Sequence, residues 1–342
     1  MGLLLDVIQG KEVPHTPVWL MRQAGRYMPE YRELRSKRTF LEMCYDPKVA
    51  CEITMQPINA FDLDAAILFN DILPILEPLG FDLEFAKGEG PLIHNPFRSS
   101  ADISRLQTFD VKEKLGFAGD AVSLIRKELP KEKDLIGFAG APFTVASYAI
   151  EGSSSKNYSL IKGLAYTDPK AYHALLSAIT ESTKQYLKMQ CDAGADMVQL
   201  FDSWGGILDP QDYMKFAHPY SQEIISYIKK ETGKPVIHFV KGAYGYFEQV
   251  ADSEADVLGV DWTVSLKKAS EACGHSKVLQ GNLDPISLLG SQDILEEKIA
   301  RIVEDAKGTK GHIFNLGHGI IPQTPMENVR YAVDAIHRLS KR

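Results

Sequence analysis

The sequence predicts an α/β protein, a single (β/α)8 TIM barrel over residues 1–342 with a long insertion after the second strand. Three observations carry that expectation. Eight short apolar runs recur along the chain, each followed by a loop and then a helical pattern. The intervening helices announce themselves with Asp-Pro pairs. No Gly-x-Gly-x-x-Gly follows a run, which weakens a dinucleotide reading; an open doubly wound sheet is the competing architecture.

The apolar runs cover residues 17–21, 65–69, 135–139, 197–201, 236–240, 257–261, 277–280 and 312–316. They are rich in Val, Ile, Leu and Phe without clean alternation, as strands covered on both faces are. Asp46-Pro47, Asp168-Pro169, Asp209-Pro210 and Asp284-Pro285 each place a capping carboxylate before a proline suited to the first helical position. Residues 209–233 read as an amphipathic helix ending at Gly233, and 169–194 behave the same way. The long connection runs from about Asp71 to Asp134. Within it, 81–93 reads as a hairpin turning at 87–90, and a helix is expected near 121–129. No composition break divides the chain, so one domain is expected.

Hydrophobic residues make up 44% and charged residues 24%, an ordinary globular composition able to bury a large core. With 38 basic and 45 acidic residues the net charge is -7, which argues against a nucleic-acid partner. No apolar run approaches the roughly 20 residues a membrane span needs. The amino-terminal stretch lacks a basic region and meets an acid at Asp6, so neither a signal peptide nor myristoylation is expected, and the location is expected to be cytoplasmic. Cys44, Cys51, Cys191 and Cys273 are scattered, with no Cys-x-x-Cys, and are expected as buried thiols in a reducing compartment.

The most informative segment is 16–31. Its apolar run ends abruptly in Arg22 and Arg26, which flank Gly25 where a strand stops, a pattern suited to holding an anion at a site mouth. Arg32, Arg35, Lys37 and Arg38 extend the basic character, opposed by Glu30 and Glu33; for Arg32, Arg35 and Arg38 an ion-paired helix face accounts for the pattern. A cationic patch in an acidic chain points to a small polyanionic ligand.

In a barrel, side chains at the carboxyl ends of the strands build the active site. Besides the arginines these are Asn70, Asp71, Thr144, Tyr148, Asp202, Ser203, His238, Lys241, Asp261, Asn282, Asp284 and His318. They contain no sequence-adjacent nucleophile and base, and no metal-ligand spacing, so no metal is expected. Asp71 sits among apolar neighbours, where a carboxylate is costly unless it meets donors. It either caps the next segment or faces a ligand rich in N–H groups or carrying a developing cation. His318 lies between glycines, facing a ligand or forming a turn. Tyr148 is a core phenol or a ligand contact, and Ser203 bonds a substrate carboxylate or starts a turn.

Several stretches together resemble the uroporphyrinogen decarboxylase family: Pro17-Val-Trp-Leu-Met-Arg-Gln-Ala-Gly-Arg-Tyr27, Asn70-Asp-Ile-Leu73, Gly140-Ala-Pro-Phe-Thr144, Phe201-Asp-Ser-Trp-Gly-Gly206, Gln280-Gly-Asn-Leu-Asp-Pro285 and Asn315-Leu-Gly-His-Gly319. They span residues 17–319 in family order, and the first and last are the specific ones. The resemblance implies a cofactor-free barrel, usually a homodimer, that removes carbon dioxide from the four acetate side chains of uroporphyrinogen III to give coproporphyrinogen III. It implies Asp71 as the carboxylate that gathers the pyrrole N–H groups. It implies Arg22, Gln23, Ala24, Gly25 and Arg26 as the substrate-binding segment, with Arg22 and Arg26 also near the chemistry, and Tyr148, Ser203 and His318 as further ligands of substrate. The family often shows Ser at position 70, where this chain has Asn, also small and polar.

Two other readings share these residues. Related corrinoid-linked methyltransferases use zinc held by a His-x-Cys at the fifth strand, where this chain has His238-Phe239-Val240 and so lacks the cysteine. A non-catalytic tetrapyrrole carrier would keep the arginines and Asp71 yet turn nothing over.

Overall fold

Seven of the eight apolar runs form one curled parallel sheet in the computed structural model, which describes residues 2–86 and 90–342. The strands in chain order are β1 (Ala65–Ile67), the hairpin strands β2 (Leu83–Ala86) and β3 (Gly90–Ile93), then β4 (Asp134–Gly140), β5 (Met197–Asp202), β6 (Val236–Val240), β7 (Val257–Gly259), β8 (Val278–Leu283) and β9 (His312–Leu316). The sheet order is β1-β4-β5-β6-β7-β8-β9, with each neighbour parallel to the last. Every residue of β4, β5, β6, β8 and β9 is buried, which is why their sequences show no alternation.

The first expected strand departs from regular form. Residues 17–21 lie between β9 and β1 and contribute a single parallel bridge, Val18 to Phe314. Phe314 N donates to Pro17 O (2.8 Å) and Trp19 N to Phe314 O (3.3 Å). On the other side, Asp64 N donates to Val18 O (2.9 Å), but Val18 N goes to the Asp64 side chain (2.8 Å). A carboxylate thus takes the place of a strand carbonyl, and the ladder with β1 cannot extend.

The caps fall as expected. Asp46 and Asp168 accept from the backbone of the helices Pro47–Ala60 and Pro169–Asp192. Asp209 opens a short α turn, Pro210–Asp212, which passes through a π turn, Tyr213–Ala217, into the helix His218–Thr232, closed by Gly233 at φ 66°. Asp284 caps only a 3-10 turn, Pro285–Leu289. Between β1 and β4 the chain holds the β2–β3 hairpin and a helix longer than expected, Val111–Glu128. The hairpin turn expected at 87–90 falls largely on residues 87–89, outside the described residues.

The barrel interior is closed by side chains. Trp19 Nε1 donates to Gln280 Oε1 (2.9 Å), and Gln280 Nε2 donates to Gln199 Oε1 (3.0 Å), so three fully buried polar side chains link one another inside an apolar core. All four cysteines are free thiols. Among the described residues no helix is long and apolar enough to cross a membrane.

Candidate active site

The arginine segment is held by its neighbours before any ligand is present. Leu20 N donates to Gln23 Oε1 (3.0 Å), Gln23 Nε2 donates to Ala65 O (3.1 Å), and Tyr27 Oη donates to Gln23 O (2.6 Å). Gln23 is buried, and both ends of its amide are spent on this turn. Met21 N donates to Asn315 Oδ1 (2.9 Å) and Ile320 N to Met21 O (2.9 Å), tying the turn to the segment after β9. Arg22 sits at the apex with φ 61°, the left-handed region, and its side chain is exposed. A Cβ on Gly319 would collide with Arg22 Cγ at 2.6 Å, so the glycine after His318 is the space into which the arginine lies.

Asp71 follows β1 and faces the same mouth. Its Oδ1 accepts from Leu73 N (2.9 Å), and its own N–H goes to Asn70 Oδ1 (2.8 Å), which leaves Oδ2 with no side-chain partner among the described residues. The carboxylate thus braces the backbone just ahead of the turn at Pro74–Leu76, accepting from Leu73 N. Beneath it lies a crevice formed with Ile72, Ile75, Ala139, Gly140, Thr183 and Tyr186, mostly apolar. Burial pushes the Asp71 carboxyl above the usual carboxylate range, while the Leu73 N–H and the charge of Arg22 pull the other way.

Tyr148 lies on the helix Pro142–Glu151 that follows β4, with its ring 6.2 Å from that of Trp204. Burial raises its phenol, Asp71 adds to the rise and Arg22 opposes it, so the phenol is a protonated donor near both. His318 is held near 3 by burial and by the charges of Arg22 and Lys241, so it is a neutral imidazole at ordinary pH. Ser203 is half-buried in the turn after β5, and its hydroxyl has no partner among the described residues. Arg26 is exposed, and its charge reaches buried Tyr31 together with that of Arg22. Ala24 and Gly25 continue the turn, half-buried.

The remaining strand-end residues sort into supports. Asp261 accepts from Gly242 N (2.5 Å) and from both the N–H and hydroxyl of Thr263, while Asn282 donates to Asp261 O and Val264 O. Thr144 donates to Asp202 Oδ1 (2.6 Å) and accepts from Trp204 N (3.1 Å); burial raises Asp202 to about 6. His238 is wholly buried and uncharged. Sequence reasoning passed over Trp204, whose ring carries Lys241 Nζ at 5.7 Å and packs on Tyr148 and Tyr158. Its place beside Ser203 in a Gly-rich turn was the available signal. Asn70 is fixed by donating to Tyr186 Oη (3.1 Å).

Arg22, Asp71, Tyr148 and His318 thus meet electrostatically at one end of the barrel, with Lys241 beside His318. Among the described residues the one metal-competent group is His15, Asp64 and His337, and it lies at the opposite, amino end of the strands.

The chain is similar to known proteins in fold and in sequence. A solved methyltransferase from Methanosarcina mazei superposes over 98% of this chain and 97% of its own with a TM-score of 0.83; at 19% identity it shows the fold alone. A B12-independent methionine synthase from a Shewanella species superposes with a TM-score of 0.58 at 9% identity. In sequence, proteins named uroporphyrinogen decarboxylase from Carboxydothermus hydrogenoformans (48% identity; 98% of this chain, 96% of the relative) and Sorangium cellulosum (50%; 95% and 93%) align along nearly the whole length. The family model described as uroporphyrinogen decarboxylase (URO-D) matches residues 1–339, and the chain belongs to that family.

Proposed function

We infer that this chain is a decarboxylase of tetrapyrrole biosynthesis, converting uroporphyrinogen to coproporphyrinogen, with residues 1–342 acting as one catalytic domain. The observation that supports this most directly is a carboxylate, Asp71, desolvated and within reach of the charge of Arg22 at the carboxyl ends of the strands. A polyanionic substrate with inward N–H groups needs cations at its rim and a carboxylate at its centre.

Loss of carbon dioxide from an acetate needs a sink for the electron pair of the breaking C–C bond. The pyrrole ring supplies one: protonation at its α-carbon makes a cation, the pair flows into the ring as CO2 leaves, and protonation of the exposed methylene then gives methyl as the ring proton is lost. Ionised Asp71 accepts hydrogen bonds from the pyrrole N–H groups and stabilises the ring cation as it forms. A single preorganised group of this kind contributes about 3–4 kcal/mol to the transition state. Arg22 and Arg26 take substrate carboxylates and orient the acetate. A guanidinium holds its proton too tightly to serve as an acid, which leaves a substrate carboxylic acid or water to deliver the proton. Neutral His318, the Tyr148 phenol and the Ser203 hydroxyl donate to peripheral carboxylates without adding charge. Gln23, Ala24 and Gly25 serve through the shape of the turn. Two chains form a homodimer in the cytoplasm.

The test is an anaerobic assay with chemically reduced uroporphyrinogen and no added cofactor, with products oxidised and separated by carboxylate count. A ladder from eight carboxylates to four is expected. Asp71→Asn should keep the fold and lose about 100- to 1000-fold in kcat. Near-normal turnover in that variant would remove Asp71 from the mechanism. Return of only the eight-carboxylate species, from folded protein that binds it, would make the chain a carrier.

A further inference from the structure

A second constellation sits at the other end of the barrel and takes no part in the chemistry above. His15 Nε2 lies 3.3 Å from Asp64 Oδ1, and His337 Nε2 lies 3.0 Å from Asp64 Oδ2. The two imidazole rings are 3.9 Å apart between centroids, so both nitrogens converge on one carboxylate from the same side. One ligand atom from each of the three residues falls within 4.8 Å of the others.

We propose that His15, Asp64 and His337 bind a divalent d-block metal ion of the Zn2+ class, which ties the amino-terminal segment and the carboxy-terminal helix to the start of β1. Two imidazoles and a carboxylate are the donors such ions prefer. Bond lengths of about 2.0–2.1 Å in a tetrahedron place donor atoms about 3.3 Å apart, close to the spacing already present. The three side chains are 23%, 10% and 16% exposed, which is shielded enough to hold an ion and open enough to admit it with a water in the fourth position. The surroundings also suit a metal. Val18 N donates to Asp64 Oδ2 (2.8 Å), fixing the carboxylate. Asp62 Oδ2 stands 3.8 Å from His337 Nδ1, a second carboxylate close to the other ring nitrogen. Without an ion the two imidazoles hydrogen-bond to Asp64, and binding would exchange those bonds for coordination. Lys133 Nζ is 3.5 Å from Asp62 and partly balances it, and Asp64 is the buried carboxylate of the group. The residues come from sequence positions 49 and 273 apart, so no motif spacing could reveal them. An ion here joins three separate parts of the chain, so its role is structural.

The experiment is titration of chelator-treated, refiltered protein with Co2+, followed by visible absorption, and with Zn2+, followed by calorimetry and thermal melting. One equivalent should bind with Co2+ d–d bands, and Zn2+ should raise the melting temperature. His15→Ala and His337→Ala should each weaken binding at least tenfold. Should His337→Ala fail to fold, His15→Ala in the half-exposed segment carries the comparison. Absence of Co2+ bands in the folded parent chain would overturn the proposal, as would equal affinity in the parent and His15→Ala proteins.

Discussion

At the scale of single residues, the site rests on a backbone conformation that residue types alone do not announce. The sequence marks Arg22 as an anion-binding group through its position at the end of an apolar run. It does not reveal that Arg22 adopts φ 61°, or that Gly319, far along the chain, leaves the room its side chain occupies. Both facts depend on the meeting of two distant segments. Gly319→Ala should therefore displace Arg22 while the protein stays folded: KM rises and kcat falls together, and the melting temperature moves little. A variant with unchanged kinetics would mean that Arg22 does not need that position. Arg22 also acts on Asp71. Burial raises the Asp71 carboxyl and Arg22 opposes the rise, so removing the guanidinium lets it climb further. The mechanism uses the ionised form, present above the pKa, so activity is lost as pH falls through it. Arg22→Met should move the acid limb of the kcat/KM profile to higher pH. A limb that stays put or moves down would show that the two groups are not coupled. Gln23 is the opposite case: it belongs to the most diagnostic segment, yet its amide is consumed by Leu20 N and Ala65 O.

At the scale of elements, strands covered on both faces were legible because an uninterrupted apolar run leaves few alternatives, and the Asp-Pro caps were legible because their mechanism is local. The π turn at Tyr213–Ala217 and the capture of Val18 N by the Asp64 carboxylate were not, since each is decided by packing partners remote in sequence. The short helix Leu3–Ile8 shows how such a partner works. It has no side-chain cap of its own, and Asp134 at the start of β4 accepts from Leu4 N (2.8 Å) and Leu5 N (3.2 Å). Burial, with Asp196 adding to it, raises Asp134 from 3.8 to about 6 despite those donors. The folded state thus holds a proton that the unfolded state has released across that window. Its contribution is fully present below 3.8 and is lost as pH rises to about 6. Asp134→Asn keeps an acceptor and removes the titration. Relative to the parent it should gain on the order of 2 kcal/mol between pH 4 and pH 7, read from denaturant midpoints. A difference constant with pH would show that Asp134 does not titrate in the folded protein.

At the scale of the whole molecule, the barrel has a seam, and the site hangs from it. β1 and β9 are the two ends of the seven-stranded sheet, and residues 17–21 bridge them through one strand pair and the Asp64 carboxylate. The same residues lead directly into the Arg22 turn, so closure of the barrel and placement of Arg22 are one structural event. This explains why the most diagnostic segment of the sequence is the least regular part of the sheet: its backbone is committed to a turn and a seam, and the N–H groups of Val18, Leu20 and Met21 go to side chains. Local stability should be lowest there, because a single strand bridge holds it in place of a continuous ladder. Asp64→Ala removes the acceptor of Val18 N and leaves that buried donor unpaired, at a cost of about 1–3 kcal/mol. The loss should be local. Amide exchange in peptides covering residues 12–28 should quicken well before that in β5 and β6, and kcat/KM should drop because Arg22 loses its anchor. Equal acceleration across all strands would mean that the barrel opens as one unit, and the seam would then have no separate part in holding the site.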